Sequence, residues 1–150
     1  MDAMCTMPAI FPNAKHLDEL LALIQKAIDL SPENMEDLDA IRQPCEGWVA
    51  EGTLAIAVYC ALKYSDNFER GVIAAVNHGG DSDSTGAVAG NILGAALGFG
   101  AIPQKYLDKL EPKDTILEIA EDLCHDCQIS EYGPRDNLRE SKYISMSYSR

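Results

Sequence analysis

Two aspartates stand two residues apart near the middle of this 150-residue chain, in Asn77-His78-Gly79-Gly80-Asp81-Ser82-Asp83-Ser84-Thr85-Gly86. Asp81 and Asp83, followed by the Ser84 hydroxyl, form a hard-oxygen donor set. Such a set suits Mg²⁺ or Mn²⁺ better than zinc, which draws His and Cys. The same letters also have a plainer use, because Ser and Asp ahead of an apolar run cap helices and their charge favours a helix N-terminus. An EF-hand starting at Asp81 matches through Gly86 but fails at its twelfth position, where Ile92 stands in place of the bidentate Glu.

The flanking elements must position this loop. Upstream lies the apolar run Gly71-Val72-Ile73-Ala74-Ala75-Val76, and downstream no charge occurs from Ser84 to Pro103. Asp81 to Ser84 is therefore placed at the mouth of a helix, with Gly79-Gly80 as the turn that ends the preceding one. Gly86, Gly90, Gly94 and Gly98 recur every fourth residue of the downstream run. Each costs about 1 kcal/mol against Ala in a helix. The spacing sets them on one stripe, which predicts a close approach by another backbone.

These segments resemble a known family, the ADP-ribosylglycohydrolases, which include the dinitrogenase-reductase-activating glycohydrolases. Val72 to Gly98 is similar to the family's C-terminal metal motif, Gly-Asp-x-Asp-Ser/Thr followed by an Ala/Gly-rich helix. The likeness extends upstream through Gly47-Trp48-Val49-Ala50-Glu51 and downstream through Ala101-Ile102-Pro103 to Leu110. The resemblance implies a compact, orthogonal all-α domain and a hydrolase that cleaves the glycosidic bond of ADP-ribose from a modified side chain or conjugate. It implies a pair of Mg²⁺ (or Mn²⁺) ions and water as the nucleophile. Carried over by position, Asp81, Asp83 and Ser84 are metal ligands, and Gly80, Ser82, His78, Trp48 and Glu51 are candidates to meet the substrate. No catalytic acid or base is assigned.

Each of those has a blander reading. Trp48 is as well explained as a core residue at a helix start. Glu51 fits a first-turn carboxylate favouring the helix dipole, and His78 a hinge histidine satisfied by backbone. Thr85 falls where no ligand is expected and is assigned to helix packing. Asp81-Ser82-Asp83-Ser84-Thr85 also resembles the nucleophile motif of haloacid-dehalogenase-type phosphatases, but that motif follows a buried strand and this one follows His78-Gly79-Gly80.

The family's other ligands, a Thr-Asp-Asp cluster, belong to an N-terminal half. No such cluster occurs between Met1 and Cys45, where Glu36-Asp37-Leu38-Asp39 is acidic without the pattern. The expectation is a chain equivalent to the C-terminal half alone, a truncated or split form. It is then either a hydrolase completed by another half or a second copy, or a non-catalytic remnant that binds ADP-ribose or metal.

Composition narrows the partners. A net charge of −12 disfavours nucleic acid and anionic membrane surfaces. The uncharged run from Ser84 to Gln104 is long enough to span a bilayer, but its glycines and Asn91 argue against that. Five cysteines without secretory context fit reduced thiols in the cytoplasm. Cys124-His125-Asp126-Cys127 lacks the second pair that zinc needs and reads as two half-buried helix cysteines.

Along the chain, residues 1–15 hold Pro8 and Pro12 without periodicity and read as an irregular lead-in. A helical domain spans 16–127, and 128–150 is a polar tail. Helices are expected over His16–Leu30, from Ser31-Pro32 toward Arg42, Val49–Tyr64, Phe68–Asn77, Ser84 onward, Pro103–Leu110 and Thr115–Cys127. The helices Val49–Tyr64 and Ser84–Gly100 are too apolar to face water alone, which predicts a homodimer or higher assembly.

Overall fold

The structure, a computed structural model, describes residues 2–44 and 47–125, and every regular element among them is helical. The chain divides into two compact units, Met1–Gln104 and Lys105–Arg150. The division falls inside the single domain expected over 16–127.

In the first unit the helices are α1 (Asp2–Ile10), α2 (Leu17–Leu30), α3 (Asp37–Arg42), α4 (Ala50–Lys63), α5 (Phe68–Val76) and α6 (Ser82–Leu97), with a 3₁₀ turn at Phe99–Ala101. The organiser is α4, which packs against α2, α5 and α6. Its buried residues, from Gly52 to Ala61, take up most of the helix surface and leave only the side of Leu54, Val58 and Leu62 partly open. Small side chains make this possible: Ala55, Ala57 and Ala61 let the neighbours close in around Ile56, Tyr59 and Cys60. The chain thus covers most of α4 by itself and leaves Leu54 and Val58 half-buried and Leu62 exposed along one side. Burial also pushes the Cys60 thiol up to about 12, assisted by the Asp37 charge, so this cysteine is an inert core residue.

Helix α5 is started by Asn67, whose side-chain oxygen accepts the Arg70 amide at 3.0 Å. It returns along α4 and packs against α6, so α4, α5 and α6 share one core that includes Ala75 and Ala89. The loop of interest is the short link between α5 and α6.

Two local expectations fail for identifiable reasons. The lead-in is helical as α1, with Pro8 near its end. Ala3, Met4 and Met7 favour the helix, and it stops before Pro12, so only Pro8 carries a penalty. Ser31 does not open a helix but closes α2, its amide reaching Ala27 O and Ile28 O and its hydroxyl donating to Ile28 O at 2.9 Å. The next helix starts only at Asp37.

The glycine stripe of α6 is only partly used within this chain. A Cβ at Gly86 would lie 2.5 Å from Val76 Cγ1, a close approach of α5 to α6. At Gly90, Gly94 and Gly98 a Cβ would meet nothing within 4 Å. Gly90→Ala is accordingly expected to stabilise the isolated chain by about 1 kcal/mol, the ordinary gain for a helix interior. Urea unfolding would check it, and a loss of stability would show that something already covers this face.

In the second unit, α8 (Lys113–Cys124) is amphipathic, with Ile116, Leu117, Ile119 and Leu123 on the apolar positions. The helix expected over Pro103–Leu110 shrinks to α7 (Gln104–Leu107). Cys124 is exposed rather than half-buried, and Cys127 and the polar tail lie outside the described residues. No helix among the described residues is long and apolar enough to cross a membrane.

Candidate metal centre

Asp81 is the N-cap of α6, and Ser82, Asp83 and Ser84 form its first turn. The cap bond itself is weak. Asp81 Oδ1 accepts the Ser84 amide at 3.4 Å, longer than an ordinary N–H···O bond. A carboxylate spent on capping alone would sit closer, so this one remains available to another ligand. Asp83 is exposed, and its carboxyl comes within hydrogen-bonding reach of Asp81. A hydrogen bond with the Asp83 carboxyl, followed by those with the Ser84 hydroxyl and amide, holds the Asp81 carboxyl below its usual 3.8. A depressed carboxyl stays ionised, as a metal ligand must.

Two carboxyl groups and a hydroxyl on one turn are the hard-oxygen donors that a divalent cation takes. The donor chemistry of Asp81, Asp83 and Ser84 therefore fits Mg²⁺ or Mn²⁺ as part of a ligand set. It is not a whole one. Mg²⁺ takes about six oxygens, and no cluster of three or more His, Cys, Asp or Glu suited to a metal occurs among the described residues.

The turn ahead of Asp81 is held by His78. Its Nδ1 accepts the Gly80 amide at 3.1 Å, and its Nε2 lies 2.8 Å from Thr85 Oγ1. Both ring nitrogens are thus engaged within the protein, one by backbone as the hinge reading expects and one by a side chain. The loop is backed by a second turn. Gly47 has φ +77°, in the left-handed region that favours glycine, and a Cβ there would stand 3.1 Å from Thr85 Cγ2 and 3.2 Å from Ile56 Cδ1. Its carbonyl accepts the Thr53 hydroxyl at 2.8 Å, which ties this turn to the first turns of α4.

The remaining candidates flank this clasp. Trp48 follows Gly47 and is 66% exposed, so the core reading of the only tryptophan is overturned. Glu51 stands half-exposed in the first turn of α4, where the dipole favours it. Gly80 and Ser82 are half-buried on either side of Asp81. Two residues of consequence were not legible as such. Thr85, read as packing, is wholly buried and carries the loop's hydrogen bonds. Gly47 was named only within the stretch that extends the family likeness, and its place beside Thr85 was not foreseen. One signal was present: a Thr four residues after an N-cap can reach back to the cap carbonyl, and Thr85 Oγ1 lies 3.0 Å from Asp81 O.

Fold and site together define an all-helical protein that presents an acidic, hard-oxygen loop at the N-terminus of a glycine-rich helix. The chain belongs to the ADP-ribosylglycohydrolase family, whose profile matches residues 3–132. Over 85 residues it is 40% identical to the ADP-ribosylarginine hydrolase Tri1 of Serratia proteamaculans, covering 57% of this chain and 22% of that protein. Over 116 residues it is 32% identical to the ADP-ribosylhydrolase ARH1 of Dictyostelium discoideum, covering 71% and 30%. Over 49 residues it is 47% identical to the ADP-ribosyl-(dinitrogen reductase) glycohydrolase of Rhodospirillum rubrum, covering 33% and 17%. The chain thus matches less than a third of the length of each of these curated relatives. No solved structure matches it significantly.

Proposed function

We propose that this chain carries one half of the metal site of an ADP-ribosyl glycohydrolase. The reaction is hydrolysis at the anomeric carbon of ADP-ribose: water adds its oxygen there, the bond to the modified side chain or conjugate breaks, and the leaving group gains a proton. The observation that carries this reading is the placement of Asp81, Asp83 and Ser84 together at the N-cap and first turn of α6, on a loop fixed from two sides. The names of the relatives, which include an arginine and a dinitrogen-reductase substrate, support an ADP-ribosylated protein side chain as the substrate class.

Asp81, Asp83 and Ser84 would hold Mg²⁺ or Mn²⁺, which when bound supplies positive charge to orient the ribose hydroxyls and offset developing negative charge. Gly80 and Ser82 lie beside the carboxylates and are placed to meet the ribose. Exposed Trp48 offers an aromatic face at the mouth of the backing turn, and Glu51 a carboxylate near it. His78 acts through the loop, because both its ring nitrogens are already engaged.

The small ligand count favours completion by another polypeptide segment, either a complementing half or a second copy of this chain, which would also bring the acid–base group. It equally favours a second reading for the chain by itself, a module that binds ADP-ribose or metal without turnover. Calorimetric titration of ADP-ribose into the chain, with and without Mg²⁺, tests the shared premise. Mg²⁺-dependent binding is expected. Binding indifferent to Mg²⁺ would sink the metal reading, and release of ADP-ribose from ADP-ribosylated arginine by the chain alone would sink the need for completion.

A further inference from the structure

Thr85 is fully buried, yet its hydroxyl touches four polar atoms. Oγ1 lies 2.7 Å from Ala75 O, 3.0 Å from Asp81 O, 3.2 Å from Ser82 O and 2.8 Å from His78 Nε2. A hydroxyl has one proton to give and two lone pairs to accept with. The shortest contact, to Ala75 O at the end of α5, takes the proton, and His78 Nε2–H donates to the oxygen. His78 Nδ1 must then be the bare nitrogen, and the Gly80 amide points at it from 3.1 Å. The result is one head-to-tail chain, Gly80 N–H to His78, His78 to Thr85, Thr85 to Ala75 O. It joins the residue just before Asp81 to the last turns of α5, by way of the first turns of α6.

We infer that Thr85 and His78 are positioning residues that hold the Asp81–Ser84 loop in the shape able to take a divalent cation. The inference rests on the reading of that loop as a metal site. Without such a pin, a turn that carries Gly79 and Gly80 and is capped by only a long hydrogen bond would be free to change shape. A purely packing role would be met as well by Val, which has the volume of Thr without its hydroxyl. A Cβ at Gly47 would stand 3.1 Å from Thr85 Cγ2, so the glycine leaves the room in which the pin sits. Partners that fix the orientation of metal ligands typically contribute 10- to 100-fold, roughly, to metal affinity.

The test uses the full chain in four forms: wild type, Thr85→Ser, Thr85→Val and His78→Phe. Mn²⁺ affinity is read by electron paramagnetic resonance titration, Gly80 amide exchange and the His78 ring tautomer by ¹⁵N NMR in metal-free protein, and folding by thermal melting. Thr85→Val is expected to weaken Mn²⁺ binding about 10- to 100-fold, with Thr85→Ser restoring it to within about threefold. It should also speed Gly80 exchange and erase the tautomer seen in wild type. His78→Phe leaves Thr85 in place and should reproduce the affinity and exchange effects, which keeps the test decisive where Thr85→Val does not fold. Mn²⁺ affinity unchanged in a folded Thr85→Val or His78→Phe protein overturns the pin. A wild type that binds no Mn²⁺ overturns the metal reading instead. In that case a wild-type His78 without the bare Nδ1, or with an unprotected Gly80 amide, overturns the pin as well.

Discussion

Asp81→Asn combined with Asp83→Asn is expected to abolish Mg²⁺-dependent ADP-ribose binding and leave the fold intact. The two substitutions remove two of the three oxygen donors that the loop offers, and a neutral amide oxygen is a poor substitute for a carboxylate toward Mg²⁺. A loss of at least about 100-fold in metal affinity is the expected scale. Stability should barely move. Asn is as good an N-cap as Asp, the existing cap bond is already long at 3.4 Å, and removing a pair of adjacent like charges relieves repulsion. Calorimetry and a thermal melt on the same samples give both readouts. Mg²⁺ dependence that survives the double substitution would place the metal elsewhere, and collapse of the fold would return both aspartates to a structural role.

The largest effect on stability is expected well away from the loop. Asp37 Oδ1 accepts from the Tyr59 hydroxyl at 2.9 Å and pairs with Lys63 Nζ at 3.0 Å, while Oδ2 accepts from the Tyr64 hydroxyl at 2.7 Å. Lys63 also donates to Tyr59 Oη at 2.8 Å and to Met35 O at 2.6 Å. The Arg70 guanidinium lies over the Tyr64 ring, 4.6 Å from its centre. One carboxylate thus ties α3 to the C-terminal half of α4. Asp37→Ala strands the partners of that carboxylate and is expected to cost about 2–3 kcal/mol, the range for orphaned buried donors. This is less than the about 3–5 kcal/mol for a fully buried pair, because the Lys63 and Asp37 side chains keep 17% and 28% of their exposure. Urea melts of wild type, Asp37→Ala and Asp37→Asn would measure it, and a cost below about 0.5 kcal/mol would refute the role.

The same network sets a pH dependence. Burial by itself would raise the Asp37 carboxyl, but hydrogen bonds from Tyr64, Lys63 and Tyr59 and the Lys63 charge outweigh it, so the net shift is below the ordinary 3.8. A depressed carboxyl binds its proton more readily in the unfolded chain than in the folded one. Its stabilisation is therefore complete above about pH 4 and drains away as pH falls through the folded value. Asp37→Asn, which cannot titrate, should show a shallower loss of stability than wild type across that acid window.

The place of Asp81 to Ser84 at the mouth of a helix was legible because N-cap letters and an uncharged run announce that helix locally. The helices α2, α4, α5 and α6 were legible for a related reason, since apolar periodicity or all-round hydrophobicity survives any particular packing. What spacing could not show was where side chains meet across long stretches of chain. Gly47 and Thr85 lie 38 residues apart, counted from their numbers, yet a Cβ at Gly47 would stand 3.1 Å from Thr85 Cγ2. Asp37 sat inside an acidic run noted only for lacking the metal pattern, and nothing in its neighbours says that Tyr59 of α4 and Tyr64 at its end will close on it. Ser31 misled because Ser-Pro is a start signal that the last carbonyls of α2 captured first. The glycine stripe misled in part because a small side chain states only that space is needed, not that this chain fills it.

The hydrogen-bond chain through Thr85 also bears on how fast the site assembles. Thr85 and Ala75 are only ten residues apart, and segments of about that length close in about 10–100 ns. The clasp therefore belongs to the earliest, most local contacts of folding, formed as soon as α5 and α6 meet. A segment arriving to complete the ligand set would meet a turn already in its final shape. It would dock at the rate of rigid surfaces, on the order of 10⁵–10⁷ M⁻¹s⁻¹, without waiting for the loop to order around it.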